Sequence, residues 1–329
     1  MSTPERELTY AEAFREGLAE EMRRDPTVFV MGLEVGAAGG TFKSYEGMFE
    51  EFGPERMVDT PITEESFTGL GVGAAMTGMR PVIDIMFGDF ITAAMDAVVN
   101  QAAKLYYMTG GQVTVPMVLH SVLGAGRAGA AQHSQSLHAW FAHIPGLRMV
   151  VPSTPYDVKG LIKTAVRYDG PVIFFDDKME YKRKGVVPAE EYLIPFGVAD
   201  VKREGTDVTV VATSSMVFQA LEAAEILAKE GISLEVVDPR TVSPLDIDTI
   251  VNSVKKTHHA LVIDEAYQSF GVTAEIASQI TEQAFDYLDA PVKRYGAMDI
   301  PVPFSPALEP ATIPSAKGVV EFVHELMGR

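Results

Sequence analysis

The sequence predicts a two-domain α/β protein with a parallel sheet in its first domain. Short apolar runs alternate with helical patterns through the first half of the chain, the arrangement of strands joined by crossover helices. The same alternation resumes in the second half. Between the two lies Asp176 to Pro195, DDKMEYKRKGVVPAEEYLIP, charged and punctuated by proline as linkers are. The domains are therefore placed at residues 1–185 and 195–329, and 329 residues are enough for two cores.

Taken in order, Tyr10, Phe14, Leu18 and Met22 recur every four residues and predict an amphipathic helix over Thr9 to Arg23, stopped by Asp25-Pro26. Val28 to Met31 reads as a buried strand, and the Gly-rich residues 32–53 as a mobile loop. Pro81 to Met86 has strand character, Thr92 to Met108 reads as one helix ended by Gly110-Gly111, and Val115 to Val122 as a strand. Further strands are expected at Leu147 to Val151 and Pro171 to Phe175, with a helix at Pro155 to Arg167 between them. In the second domain, strands at 208–212, 232–237 and 260–263 alternate with helices at 215–229, 245–255 and 272–283. Ser315 caps a last helix that runs through Leu326.

Composition narrows the function. The chain is 47% hydrophobic and 22% charged, with a net charge of −18, which argues against general nucleic-acid binding. No cysteine is present, so disulfide frameworks and thiolate metal sites are excluded. The start of the chain is charged and amphipathic and lacks a signal-like apolar core, and no apolar run is long enough to span a membrane. A soluble, cytoplasmic protein is expected.

Several motifs carry both a functional and a structural reading. Gly124-Ala-Gly126-Arg-Ala-Gly129 follows a strand and matches the dinucleotide fingerprint, but no acidic residue ends the next strand to hold a ribose. Gly88-Asp89 opens like a diphosphate–magnesium motif, yet Phe90 stands where a second glycine is needed, so a complete site for a metal-bound diphosphate is not expected. His138 and His143 read as core histidines, whereas His133 follows a strand in a Gly-rich loop, at the edge of α/β sheets where ligands bind. Asp264-Glu265 reads as a helix-capping pair.

The decisive stretch is Val58 to Phe90. There a Pro-braced turn, Asp59-Thr-Pro-Ile-Thr-Glu64, leads into a segment with Gly69, Gly71 and Gly73. Glu64, Gly69, Leu70, Gly73 and Ala74 have the spacing of the subunit-interface signature of thiamine-diphosphate enzymes. With Asn100-Gln-Ala-Ala-Lys104, Tyr107-Met-Thr-Gly-Gly111, Ala130-Ala-Gln-His-Ser-Gln135, Pro145-Gly-Leu147 and Leu161-Ile-Lys163, nearly the whole chain resembles the β subunit of the thiamine-dependent first component of 2-oxo acid or acetoin dehydrogenase complexes.

The resemblance implies a transketolase-like pyrimidine-binding domain followed by a C-terminal assembly domain. Glu64 matches the acid that hydrogen-bonds the aminopyrimidine ring so that the cofactor's acidic carbon can be deprotonated. Such an acid shares a proton with the ring, which partial burial favours. Phe90 matches the aromatic packed on the pyrimidine, Ile62 and Met86 match pocket-wall positions, and His133 matches the active-site channel histidine. Gly69 and Gly73 are expected where the helix meets another chain.

The resemblance also implies partners. An α subunit, in a two-α two-β heterotetramer, holds the diphosphate and magnesium, and a lipoyl-bearing acyltransferase takes the acyl group. No metal ligand is assigned to this chain. Potassium is an open point: Tyr168 and Gly170 replace the Asp and Asn of the family's potassium loop, leaving the carbonyls of Met117, Ala165 and Val166. Gly124 to Arg127, Ser136 to His138 and Pro301 to Leu308 resemble acetoin- or pyruvate-type members more than branched-chain ones. Two alternatives stay open: an NAD-dependent oxidoreductase using the Gly124 loop, and a non-catalytic assembly subunit that keeps the glycines without needing Glu64.

Overall fold

The computed structural model describes residues 6–328; the first five residues of the charged start, and Arg329, lie outside it. The described residues form two compact units, one of those up to 123 together with 140–196, the other of 124–139 together with those from 197 onward. Chain order alone groups 124–139 with the first half, whereas its contacts are with the second.

In the first unit the strands lie in the order Arg148–Val150, Val172–Asp177, Val118–Leu123, Arg80–Ile85, Val28–Gly32 and Met57–Asp59. All these pairings are parallel. Val118–Leu123 and Val172–Asp177 are buried along their whole length, as central strands covered on both faces must be.

The helix Tyr10–Arg24 starts at a capping box, in which the Thr9 hydroxyl accepts from the Glu12 amide and Glu12 accepts from the Thr9 amide. Its face of Tyr10, Phe14, Leu18 and Met22 is fully buried. It packs against the helix Pro155–Arg167, whose first turn carries Thr154 as cap and a proline at its start. Along that contact Glu16, Glu20 and Glu21 pair with Lys159, Lys163 and Arg167, so the buried Lys159 and Glu21 both have partners.

Two expectations fail here. Residues 32–53 are anchored: Val35 and Tyr45 are buried, and a short helix, Met48–Phe52, closes the segment. The single helix expected over 92–108 is broken into a tight turn at Gly88–Ala94, a wide-turned stretch at Asp96–Ala102 and a last turn at Leu105–Met108. Asp96 accepts from the side chains of Asn100 and Gln101, four and five residues on, so both face it across the wide turn.

In the second unit the order is Lys293–Ala297, Ala260–Tyr267, Val208–Ala212, Leu234–Asp238 and Asp200–Arg203; only the last strand is antiparallel. The helices Met216–Ala228 and Ala316–Leu326 build one core against this sheet, and Ile247–Thr257 and Val272–Ala284 build another. The strand Ala260–Tyr267 runs longer than its apolar run indicates, so Asp264 and Glu265 lie inside it rather than capping a helix. No helix among the described residues is long and apolar enough to cross a membrane.

Candidate functional site

The short strand Met57–Asp59, which the sequence did not reveal, pairs with Val28–Gly32 and sets up the turn that delivers Glu64. The Thr60 amide donates to the Gly32 carbonyl at 3.0 Å, and the Gly36 amide donates to Asp59 Oδ1 at 2.7 Å. Pro61 and Ile62 then carry the chain into the helix Glu64–Met76, whose first residue is Glu64. Glu64 is half-buried and follows the C-terminal end of a parallel strand, where α/β sheets bind ligands.

This helix has two faces. Phe67, Thr68, Gly71, Val72 and Ala75 are buried, and a Cβ at Gly71 would lie 2.7 Å from Ile83 Cδ1. Gly69, Leu70, Gly73 and Met76 are exposed, Leu70 by 64%, and a Cβ at Gly69 or Gly73 would meet nothing within 4 Å. A glycine that packs against nothing in its own chain, set between exposed apolar side chains, leaves a flat apolar strip of backbone.

Helix Glu64–Met76 packs against the Gly88–Ala94 turn, which carries Phe90. Phe90 and Met86 are half-buried, and Ile62 is 78% exposed. Phe90 meets Phe87 edge-on at 6.3 Å, and the Thr41 hydroxyl donates to Met86 Sδ at 2.6 Å. The first unit thus brings an acid, an aromatic and apolar side chains onto neighbouring elements. That set fits the pyrimidine half of thiamine diphosphate: an acceptor for the ring nitrogen's proton and apolar surface for the ring face. Asp84 and Asp89, two further acids of the stretch, are buried.

Behind the site is a charged cluster that the sequence reading missed. Asp84 and His120 are paired on adjacent parallel strands, and Asp176 lies two residues beyond Phe174, the partner of His120, so all three side chains share one face. His120 Nδ1 is 2.7 Å from Asp84 Oδ1, and Nε2 is 2.9 Å from Asp176 Oδ2. Tyr10 and Tyr181 donate to Asp176, and Tyr45 donates to Asp84. Phe14 stacks on the imidazole at 4.4 Å. Burial opposes the charge on His120, but Asp176 and then Asp84 outweigh it and lift the imidazole to about 9. The sequence shows only that titratable residues sit in or at the end of three apolar strands; that they pair is a long-range fact.

The carbonyls left for a monovalent cation are engaged by the protein. Val172 donates its amide to Met117 at 2.9 Å, and Tyr168 donates its amide to Ala165 at 3.3 Å. The Arg80 guanidinium donates to the Val166 carbonyl at 2.9 Å and the Tyr168 carbonyl at 3.1 Å, and it pairs with Asp169.

His133 belongs to the second unit and is half-buried. Its segment begins as an unusual backbone: Gly124, Gly126, Ala128 and Ala130 all have positive φ, so left-handed residues alternate with others. Such alternation turns successive amides toward one side as an anion-binding concavity. Here protein carboxylates fill it. The Ala125 amide donates to Glu265 Oε1 at 2.5 Å, and the Gly126 and Ala128 amides donate to the two oxygens of Glu309 at 2.8 and 2.9 Å. The dinucleotide reading needs these amides for a pyrophosphate, and they are already satisfied. His138, buried as expected, places Nε2 2.7 Å from Asp264 Oδ2, whereas His143, also expected in the core, is exposed. Burial raises the Asp264 pKa, but His138 and Thr213 outweigh it and hold the group below the usual carboxylate range.

Comparison with known proteins identifies the family of both halves of the chain. Residues 6–184 match the model of the transketolase pyrimidine-binding domain, and residues 197–319 that of the transketolase C-terminal domain. The β subunit of acetoin:2,6-dichlorophenolindophenol oxidoreductase from Bacillus subtilis (strain 168) is 45% identical, with 98% of each chain covered. The chain belongs to the transketolase-like β subunits of pyruvate and acetoin dehydrogenase type.

This β-subunit family uses thiamine diphosphate. The pyruvate dehydrogenase E1 component subunit beta of Rickettsia felis is 46% identical, covering 97% of this chain and 98% of the relative. The 2-oxoisovalerate dehydrogenase subunit beta of Bacillus subtilis (strain 168) is also 46% identical, over 92% and 93%. Identity over the chain therefore does not separate the substrate classes of these relatives. A solved structure described as a split-gene transketolase, inactive beta4 tetramer, is similar with a TM-score of 0.76 at 25% identity, covering 98% of both chains.

Proposed function

We propose that this chain is the β subunit of a heteromeric dehydrogenase component that decarboxylates a 2-oxo acid such as pyruvate, or cleaves acetoin, and passes the acyl group to a lipoyl-bearing acyltransferase. The observation that carries the proposal is Glu64, half-buried on the first turn of a helix whose Gly69–Gly73 face is open. That face accommodates the backbone of an α chain, with which this chain forms a two-α two-β assembly, and the α chain holds the diphosphate and magnesium.

When bound, thiamine diphosphate supplies an acidic carbon that adds to the substrate carbonyl. Glu64 would hydrogen-bond the ring nitrogen of the pyrimidine and share a proton with it. Phe90 would pack on the ring face, and Ile62 and Met86 would form walls of the pocket. His133 is the group that donates a hydrogen bond to the substrate. Potassium has no place in this scheme. Arg80 already brings a full positive charge to the Val166 and Tyr168 carbonyls, and a second cation a few ångströms away is repelled.

Glu64→Gln, assayed with the α chain, tests the proposal. A loss of several orders of magnitude in turnover, with an intact heteromer, is expected because the proton route is lost. Unchanged turnover would instead support a non-catalytic assembly subunit.

A further inference from the structure

We propose that Glu309, supported by Glu265 and Asp264, is a positioning residue: the buried carboxylates of the C-terminal unit fix the conformation of the loop that carries His133. The proposal rests on the reading of His133 as the channel histidine and extends it to residues with no role of their own in that reading.

The geometry is specific. Glu309 is 3% exposed, and its two carboxylate oxygens accept from backbone amides, one from Gly126 and the other from Ala128. Glu309 is itself held in a tight turn. Its amide donates to the Ser305 carbonyl at 2.9 Å, and its carbonyl accepts from the Thr312 amide and hydroxyl. A short path then leads to the histidine. Ala128 precedes Gly129, and a Cβ at Gly129 would lie 2.9 Å from the His133 carbonyl oxygen, so the backbone of His133 folds directly onto that glycine. The His133 amide donates back to the Ala130 carbonyl at 3.3 Å. Glu265 fixes the segment at Ala125, and Asp264 fixes it again at His138. His133 thus sits on a span held at both ends by carboxylates of one unit.

The backbone conformation needs that hold. Ala128 and Ala130 have φ of 51° and 58°, a region that L-residues other than glycine avoid. Such conformations persist where the surroundings over-determine them, and they cluster at functional sites. A carboxylate accepting two amides supplies that determination through charge-assisted bonds. An amide side chain cannot replace it fully, because one of its two groups is a donor facing a donor.

The test uses the full chain with its α chain and the variants Glu309→Gln, Glu309→Ala and His133→Ala. By hydrogen exchange, peptides spanning 124–139 in Glu309→Gln should exchange about 10- to 100-fold faster, the effect of losing one bond to a charged acceptor. Turnover should fall while KM and thiamine diphosphate affinity stay within about twofold. Millimolar formate, small enough to enter the vacated concavity, should restore both protection and turnover to Glu309→Ala, which a merely structural role does not allow. Wild-type exchange rates at 124–139 in Glu309→Gln, or full turnover despite fast exchange while His133→Ala is slow, would overturn the positioning role. If His133→Ala keeps full turnover, the reading of His133 falls instead, and the exchange result stands apart from it. Should Glu309→Ala fail to fold, Glu309→Gln with the exchange readout decides alone.

Discussion

Replacing Gly71 and Gly73 by alanine, one at a time, should move the stability of the isolated chain in opposite directions, although the two glycines are two residues apart on one helix. At Gly73 an added Cβ meets nothing within 4 Å, so the substitution removes only the helix penalty of glycine and stabilises by up to about 1 kcal/mol. At Gly71 the Cβ would lie 2.7 Å from Ile83 Cδ1, 2.8 Å from Ile83 Cγ1 and 3.2 Å from Met117 Sδ. Overpacking of that kind costs about 1–3 kcal/mol, which the same gain in helix propensity only partly offsets. The two variants should therefore differ by about 1–3 kcal/mol in urea unfolding. The single tryptophan, Trp140, lies in the same unit and provides the fluorescence signal. With the α chain present, Gly73→Leu should fold as a free chain yet elute without a partner on size exclusion, because its side chain holds the two backbones apart. Parallel shifts for the two alanines, or a normal heteromer from Gly73→Leu, would refute this division of the helix.

Other expectations follow from the charged groups. The folded pKa of His120, about 9, lies above its ordinary value of 6.5, so its stabilisation is complete below pH 6.5 and is lost as pH rises towards 9. The shift corresponds to about 3 kcal/mol, and a Trp140 unfolding midpoint that is flat or rising across that window would contradict it. His120→Gln leaves two buried carboxylates without their cation and should cost about 3–5 kcal/mol in the same assay. Because Arg80 already satisfies the Val166 and Tyr168 carbonyls, the melting temperature should agree within about 1 °C in potassium chloride and in choline chloride of equal ionic strength. A potassium-specific rise of several degrees would restore a cation site.

Much of the fold was legible because its strands are apolar throughout and its helices carry strong periodicity. Tyr10, Phe14, Leu18 and Met22 marked their helix, whereas the Thr9–Glu12 capping box at its start was not singled out. The strand Met57–Asp59 was hidden because it is short and ends in an acid that serves a loop amide. Likewise Asp264 and Glu265 disguised the end of Ala260–Tyr267, since charged residues inside a strand are stable only with partners from elsewhere in the chain. At the candidate site, Glu64 and Phe90 stood out through a motif. The roles of Glu309 and His120 depend on long-range pairings, with sequence separations of 181 from Ala128 and 56 from Asp176, which no local pattern encodes.

The central claim is that this chain carries only the pyrimidine half of a thiamine diphosphate site. Isothermal titration of the purified chain with thiamine diphosphate and magnesium, with and without the α chain, tests it most directly. A hydrogen bond to Glu64 and packing on Phe90 contribute on the order of 1–3 kcal/mol together. After the entropy of association, that allows no better than millimolar binding by the chain alone. The account predicts negligible heat until the α chain is added, then saturable binding together with turnover. Micromolar binding or 2-oxo acid decarboxylation by the isolated chain would contradict it.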